Sequence, residues 1–403
     1  MSARGTRIIR GLLIALGGLA VLLFFYQSIR NHNYVNGNDL TSYLNSSRWF
    51  FEGDNPYTAP VRRFIYPLFL LIVCYPLSFL QGSYFQKALA AGSWSLLAWF
   101  AFFKTIFASW NSLYGPRNAV AWFRENLFSL ALIVFLLHPF LQDEFLNGQV
   151  NLVMVGSLAG FYFALQKDRQ FLAALFLSIA AAIKVGPGIC LLFVLVTGQY
   201  RVIPYFIGLF FLWVIGLPYL VNDQSLTYYG YFIDTVVPHV AASDFEHGFK
   251  QYSLISTLSY AFDLHWPPLA KMGAVCLVAL GLAAPIVVLG RRRPILAAPR
   301  IGLTAFAAFM PVIPLTFPMS EAHHQLILLL PLIVIIDYWR ERIESISAFF
   351  RDRYSLVFFA ALLLLHIGHG VKEVPLRFLG LAVLYAGMIA LLHRRALPHL
   401  PEK

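Results

Sequence analysis

One lysine stands in the middle of an otherwise apolar run, AAIKVGPGICLLF (181–193), and it is the most costly residue in the chain. A charge placed there usually faces a cavity or a partner, because apolar surroundings penalise an unpaired ion. Gly186 and Pro187 beside Lys184 break the helix and free backbone amides to line a cavity. Half-helix ends at such a break favour an anion. The competing reading is a lysine that snorkels from the ends of two short helices. The residues alone leave both readings open.

Four further polar clusters interrupt the apolar pattern. The stretch 30–65 contains Asp39, followed by Tyr43 and then Trp49, Phe50 and Phe51. A helix starting near Asp39 would lie along a membrane interface, aromatics down and polar face up. Asp39 then reads either as a catalytic carboxylate or as the helix N-cap. Asp54, in EGDNPY, reads as a turn residue. Gln149 and Asn151 stand two residues apart at the start of a second apolar run, within HPFLQDEFLNGQVN (138–151). His323 and His324 begin another beside Glu321, and Gln251 lies in the polar stretch 222–268. The histidines could cap a helix or meet a phosphorylated ligand. A metal site would need more His or carboxylate ligands at fitting spacing, and no such set is visible.

These residues must be positioned by a membrane protein. The chain has 403 residues, 59% hydrophobic and only 12% charged, with a mean hydropathy of +0.69. Soluble domains carry about 25% charged residues. A spanning helix needs roughly 20 apolar residues. Apolar segments fall near 8–29, 86–108, 126–141, 149–166, 202–221, 269–290, 301–317, 324–338, 355–369 and 375–393, with 171–197 broken at Lys184 into two short helices. The expectation is an all-α polytopic membrane protein of about twelve crossings, one membrane domain over 1–403 with long outer loops at 30–65 and 222–268. The segment 8–29 reads as a retained first helix, not a cleaved signal. Cys74, Cys190 and Cys276 share no metal-ligand spacing and read as small buried apolar residues.

The net charge of +11 belongs to this topology. With both termini cytoplasmic, the inner loops take most of the basic residues, among them Arg117, Arg124, Arg340, Arg342, Arg351 and Arg353. That asymmetry holds only if the short segment 66–80, bounded by Pro67 and Pro76, stays at the outer leaflet. The basic excess then faces anionic membrane lipids. Nucleic-acid binding needs a basic stripe on a folded soluble face, and no segment offers one. All the polar clusters fall on the outer side.

In order along the chain, GNDLTSY (37–43) with EGDNPY (52–57), IYPLFLLIVCYPLSFL (65–80), FLNGQVNLVMVG (145–156), AAIKVGPGICLLF (181–193), and KQYSLISTL (250–258) with HHQLILLLP (323–331) resemble glycosyltransferase family 87 of the multi-spanning C superfamily. Leu68 stands where the family's Tyr-Pro-Pro segment has a second proline, and Tyr252 splits the Gln-Ser pair at Gln251. The resemblance covers about 40–335. It implies an inverting glycosyltransferase of the bacterial plasma membrane with an extracytoplasmic site. Such an enzyme moves a sugar, mannose above all or arabinofuranose, from a polyprenyl-phosphate donor to a glycolipid or polysaccharide acceptor. Asp39 matches the position of the general base. Lys184, His323 and His324 would hold the donor phosphate, and Tyr43, Gln149, Asn151 and Gln251 would orient sugar or acceptor hydroxyls. The polyisoprenoid tail would lie in a groove of the Phe-rich surface. No cofactor is called for, because the lipid-linked sugar is a substrate; a divalent metal is neither required nor ruled out. The rival class is a transporter or lipid flippase, which would show paired broken helices in two related halves; one clear break and no internal repeat are visible.

Overall fold

The computed structural model describes residues 3–34, 38–58, 64–238, 253–292, 295–317, 322–371 and 374–396. Among these the chain is helical, with no strand. The helices are α1 (Ala3–Tyr34), α2 (Asp39–Glu52), α3 (Phe69–Ser78), α4 (Tyr84–Tyr114), α5 (Ala119–Leu136), α6 (His138–Asn147) and α7 (Asn151–Gln166). They continue with α8 (Gln170–Ile183), α9 (Leu191–Thr197), α10 (Val202–Phe211), α11 (Leu217–Val221), α12 (Ser225–Tyr231) and α13 (Leu254–Ala261). The last are α14 (Pro268–Arg292), α15 (Pro299–Phe309), α16 (Val312–Thr316), α17 (Leu329–Arg342), α18 (Ile346–Arg351), α19 (Arg353–Gly370) and α20 (Leu376–Ala396).

Burial sorts these helices into an inside and an outside. Along Pro299–Thr316, 83% of the apolar window is buried, whereas Gly11–His32 buries 11% and Val202–Val221 17%. The outer helices therefore present rows of large apolar side chains, such as Leu12, Leu16, Leu19 and Leu22 on α1. No soluble surface tolerates such an area; a bilayer requires it. Among the described residues eight helices are long and apolar enough to cross a membrane, or nine if the bent pair α6–α7 counts as one span. The count of about twelve expected from the sequence included both halves of the broken segment 171–197. In the structure these are α8 and a piece from Gly186 to Thr197, both shorter than a full span.

The other local expectations can be placed as well. Helix α3 has ten residues and rises ~15 Å, half a bilayer core of ~30 Å, so it is too short to cross. The stretch 222–268 is not a plain loop: α12 continues into a π-helical turn at Phe232–Val236, and α13 follows. Cys74 and Cys190 are buried, but Cys276 is exposed. The expectation of three buried cysteines fails there because α14 is a peripheral helix, only 22% of whose apolar window is covered.

Two apolar cores result. The larger is built on α4, α7, α15, α17 and α20. The smaller gathers Leu40, Tyr43 and Leu44 of α2 with Leu70, Leu71, Trp94, Val150 and Ala182. Helices α19 and α20 meet closely enough that a Cβ on Gly380 would stand 2.9 Å from the Ala361 carbonyl. At the end of α17 the carboxylate of Asp337 is fully buried. It accepts from Tyr114 Oη at 2.5 Å and from Arg395 Nη2 at 2.9 Å, with Arg300 at 3.9 Å. This pairing ties α20 and α4 to α17. Removing one member of a buried pair strands the other, so Asp337→Ala is expected to cost about 3 kcal/mol. Thermal unfolding in detergent reads that loss as a lowered midpoint; an unchanged midpoint would mean that Glu341, 3.3 Å from Arg395, suffices alone.

Candidate active site

The site forms around one sharp corner. Helix α6 ends at Asn147, and Gly148 adopts the left-handed conformation (φ 63°, ψ 42°), its N–H donating to the Glu144 carbonyl. The chain then turns through 117° into α7. Gly148 is required twice over. Its φ is one that side-chain-bearing residues rarely take, and an added Cβ would lie 2.5 Å from Leu40 Cβ on α2. Gly148→Ala therefore pushes Leu40 aside, and with it the neighbouring Asp39. A displacement of ~1 Å near reacting groups can cost about 100-fold in rate. The expected result is a loss of turnover far larger than the loss in thermal midpoint, measured on the same detergent preparation.

Asp39 opens α2 but does not cap it. The cap is Asn38, whose Oδ1 accepts from the Thr41 N–H at 2.8 Å and from Thr41 Oγ1 at 2.6 Å. That leaves Asp39 in the first turn, where its Oδ2 accepts from Gln149 Nε2 across the corner. Gln149 is held at three points: Tyr43 Oη donates to its Oε1 at 3.2 Å, Trp94 Nε1 donates to its carbonyl at 2.9 Å, and Asp39 takes its amide N–H. Burial, with Tyr66, Asp39 and Glu144 adding to it, holds the Tyr43 phenol well above its usual pKa. The phenol stays protonated and donates, which fixes the amide of Gln149 with its nitrogen toward Asp39.

Two residues further on, Asn151 does the corresponding job for Lys184. Helix α8 stops at Ile183, and Lys184 is extended (φ −142°, ψ 129°) before the 3-10 turn Gly186–Cys190. Its ammonium donates to Asn151 Oδ1 at 2.8 Å and lies 2.8 Å from His324 Nε2. An ammonium has only donors, so Nε2 is the unprotonated ring nitrogen in this arrangement. The Lys184 Nζ also sits 5.1 Å above the Tyr66 ring, within cation–π range. Asn151 is oriented from behind by the buried Glu144, whose Oε2 accepts from Asn151 Nδ2 at 2.7 Å and whose Oε1 accepts from the Leu152 N–H at 3.0 Å.

Asp39, Tyr43, Gln149, Asn151, Lys184 and His324 thus come together. His323 is on the same 3-10 turn as His324. Gln251 and Glu321 lie outside the described residues. Asp54 is exposed in the turn after α2, as expected of a turn residue. Two participants were not singled out from sequence, Tyr66 and Glu144. Both lay inside stretches that were, the Tyr-Pro segment and the acidic-amide cluster before Gly148, but nothing local marks a tyrosine as facing Lys184 or a glutamate as holding Asn151. Tyr66 bridges the two halves: its ring meets Tyr43 edge-on at 5.5 Å and Lys184 on its face. Its segment is pinned by Tyr57 Oη on the Tyr66 carbonyl (3.0 Å) and Tyr229 Oη accepting from the Leu68 N–H (3.1 Å). A proline at position 68 has no N–H to give, so leucine there secures the segment to α12.

The arrangement offers a carboxylate from α2 and an ammonium from the end of α8, each oriented by a carboxamide of one rigid corner. That is the equipment for removing a proton from one group while holding an anion beside it. Among the described residues no group of three or more His, Cys, Asp or Glu side chains gathers as a metal site. No curated protein matches the chain. The model of glycosyltransferase family 87 matches residues 64–313, a span holding the Gly148 corner, Lys184 and Tyr66. With more than half of its length matched and with helices suited to a bilayer, the chain belongs to glycosyltransferase family 87 and is a membrane glycosyltransferase.

Proposed function

We propose that this enzyme transfers a sugar, mannose above all, from a polyprenyl-phosphate donor to a glycolipid or polysaccharide acceptor at the extracytoplasmic face of the bacterial plasma membrane. The observation that carries the reading is the link between Asp39 and Lys184 through Gln149 and Asn151, the two amides of one corner. Asp39 takes the proton of the acceptor hydroxyl. The hydroxyl oxygen attacks the anomeric carbon from the side opposite the phosphate, and the bond from that carbon to the phosphate oxygen breaks. The configuration inverts. The departing polyprenyl phosphate gains a negative charge, and Lys184 and His324 stabilise it as that charge grows. In this scheme Gln149 and Asn151 hold the two charged residues in register, the buried Tyr43 fixes Gln149, and the half-buried Tyr66 supplies the wall along which the sugar lies.

The test is direct. Purified protein in detergent is incubated with radiolabelled polyprenyl-phosphate mannose or arabinofuranose and candidate glycolipid acceptors, and the label is followed into lipid or glycan. Transfer from either donor is the expected result. Transfer only from a nucleotide sugar would replace the donor assignment.

A further inference from the structure

A cavity of about 310 Å³ opens between α5, α17 and α18, lined by Glu125, Phe128, Leu132, Ile336, Arg340 and Phe349 among others. It lies at the far end of α17 from the site. The 3-10 turn that carries His324, Ala322–Leu328, leads directly into that helix, and the fourteen residues of α17 rise ~21 Å. The reaction chemistry has no use for it. Most of its lining is apolar, and its mouth carries an organised cation. The Arg340 guanidinium donates to Asn126 Oδ1 at 2.7 Å and lies over the rings of Trp110 (5.6 Å) and Tyr114 (5.4 Å). The one acidic group at the cavity, Glu125, is already paired with Arg117 at 2.6 Å. Arg342, Arg351 and Arg353 follow in the chain, interleaved with Glu344, with Glu341, which pairs with Arg300 and Arg395, and with Asp352, which caps α19, so Arg340 is the cation fixed at the mouth.

The surroundings distinguish a membrane ligand from a soluble one. Val120 and Phe123, one turn before the lining residues of α5, are exposed, as is Phe350 on α18. Phe349 turns the other way and packs on Trp339 at 5.7 Å. Helix α18 thus puts one aromatic into the cavity wall and the next outward, beside Arg351, as a segment at a lipid interface does. Apolar walls under a fixed cation, at the basic end of a helix bundle, suit an acyl chain below an anionic head group.

We propose that this cleft binds one anionic phospholipid of the leaflet at the basic end, its head group on Arg340 and part of an acyl chain against Phe128, Leu132 and Ile336. The experiment uses the full-length protein in phosphatidylcholine nanodiscs doped with phosphatidylglycerol carrying a photoactivatable acyl chain. After illumination, the label is mapped by peptide mass spectrometry. The expected label falls on peptides containing Phe128–Leu132 and Ile336–Ile343. Arg340→Gln, which removes the charge, should lower it about fivefold, the worth of one basic residue near a membrane surface, and Ile343→Trp, which fills the cavity, should lower it as well. Because the first substitution leaves the volume and the second leaves the charge, misfolding of one leaves the other to decide. Equal labelling of these peptides by the matching phosphatidylcholine probe overturns the proposal. So does label unchanged in either folded variant, or loss of label to millimolar glycerol phosphate, which would make the ligand a soluble anion.

Discussion

Asp39→Asn should leave an enzyme that binds its donor and does not turn over. Positioned general-base catalysis is worth typically ~10²–10⁴-fold, and the substitution removes the base while keeping its shape. An asparagine can still accept a hydrogen bond from Gln149 Nε2, so α2 keeps its contact with the corner. The helix also keeps its cap, because that function belongs to Asn38. These two facts make the variant informative. A drop in kcat of about 1,000-fold, with donor affinity and thermal midpoint close to wild type, is the signature of a lost proton acceptor. Steady-state transfer assays with a donor-binding titration on the same preparation decide it. Turnover within a few-fold of wild type would remove Asp39 from the chemistry and return it to the role of a helix-start residue.

Lys184→Ala is expected to act on the donor. A hydrogen bond to a charged group contributes ~1.5–3 kcal/mol, so losing the ammonium should weaken donor binding by about 10- to 100-fold. It should also lower kcat, because the charge on the leaving phosphate grows in the transition state. Lys184→Arg should recover only part of this. The pocket around Nζ, formed by Asn151 Oδ1, His324 Nε2 and the Tyr66 face, fits a compact ammonium and not a planar fork. The result against the assignment is a raised KM for the acceptor alone with an unchanged donor titration; Lys184 would then serve to hold Asn151 and His324 in place.

Much of this molecule could be read before any coordinate was known, and for a definable reason. Apolar runs of spanning length, the break at Lys184-Val185-Gly186-Pro187 and the helix starting at Asp39 are encoded by neighbours in the chain. So is the amphipathic spacing of Leu40, Tyr43, Leu44, Ser47 and Phe50, which faces the smaller core. Where local rules erred, they erred by a residue or by a face. The cap of α2 is Asn38 because its side chain reaches the Thr41 amide, leaving the adjacent aspartate for the corner. Cys276 is exposed because a helix at the bundle's rim has an apolar outside as well as an apolar inside.

By composition and periodicity alone, the residue order determined an all-helical membrane protein with a charged residue stranded at a helix break and polar groups collected in a few connecting segments. Tertiary structure alone decided which of those polar groups meet. Gln149 reaches Asp39 across 110 positions and His324 reaches Lys184 across 140. Tyr66 reaches both Tyr43 and Lys184 because Tyr57 and Tyr229 pin its segment from either side. Capping, breaking and amphipathic spacing act over a few residues of backbone and are legible there. Contacts between remote residues follow from how whole helices pack, here from a corner at Gly148 tight enough to seat against Leu40, and no short stretch of sequence carries that information.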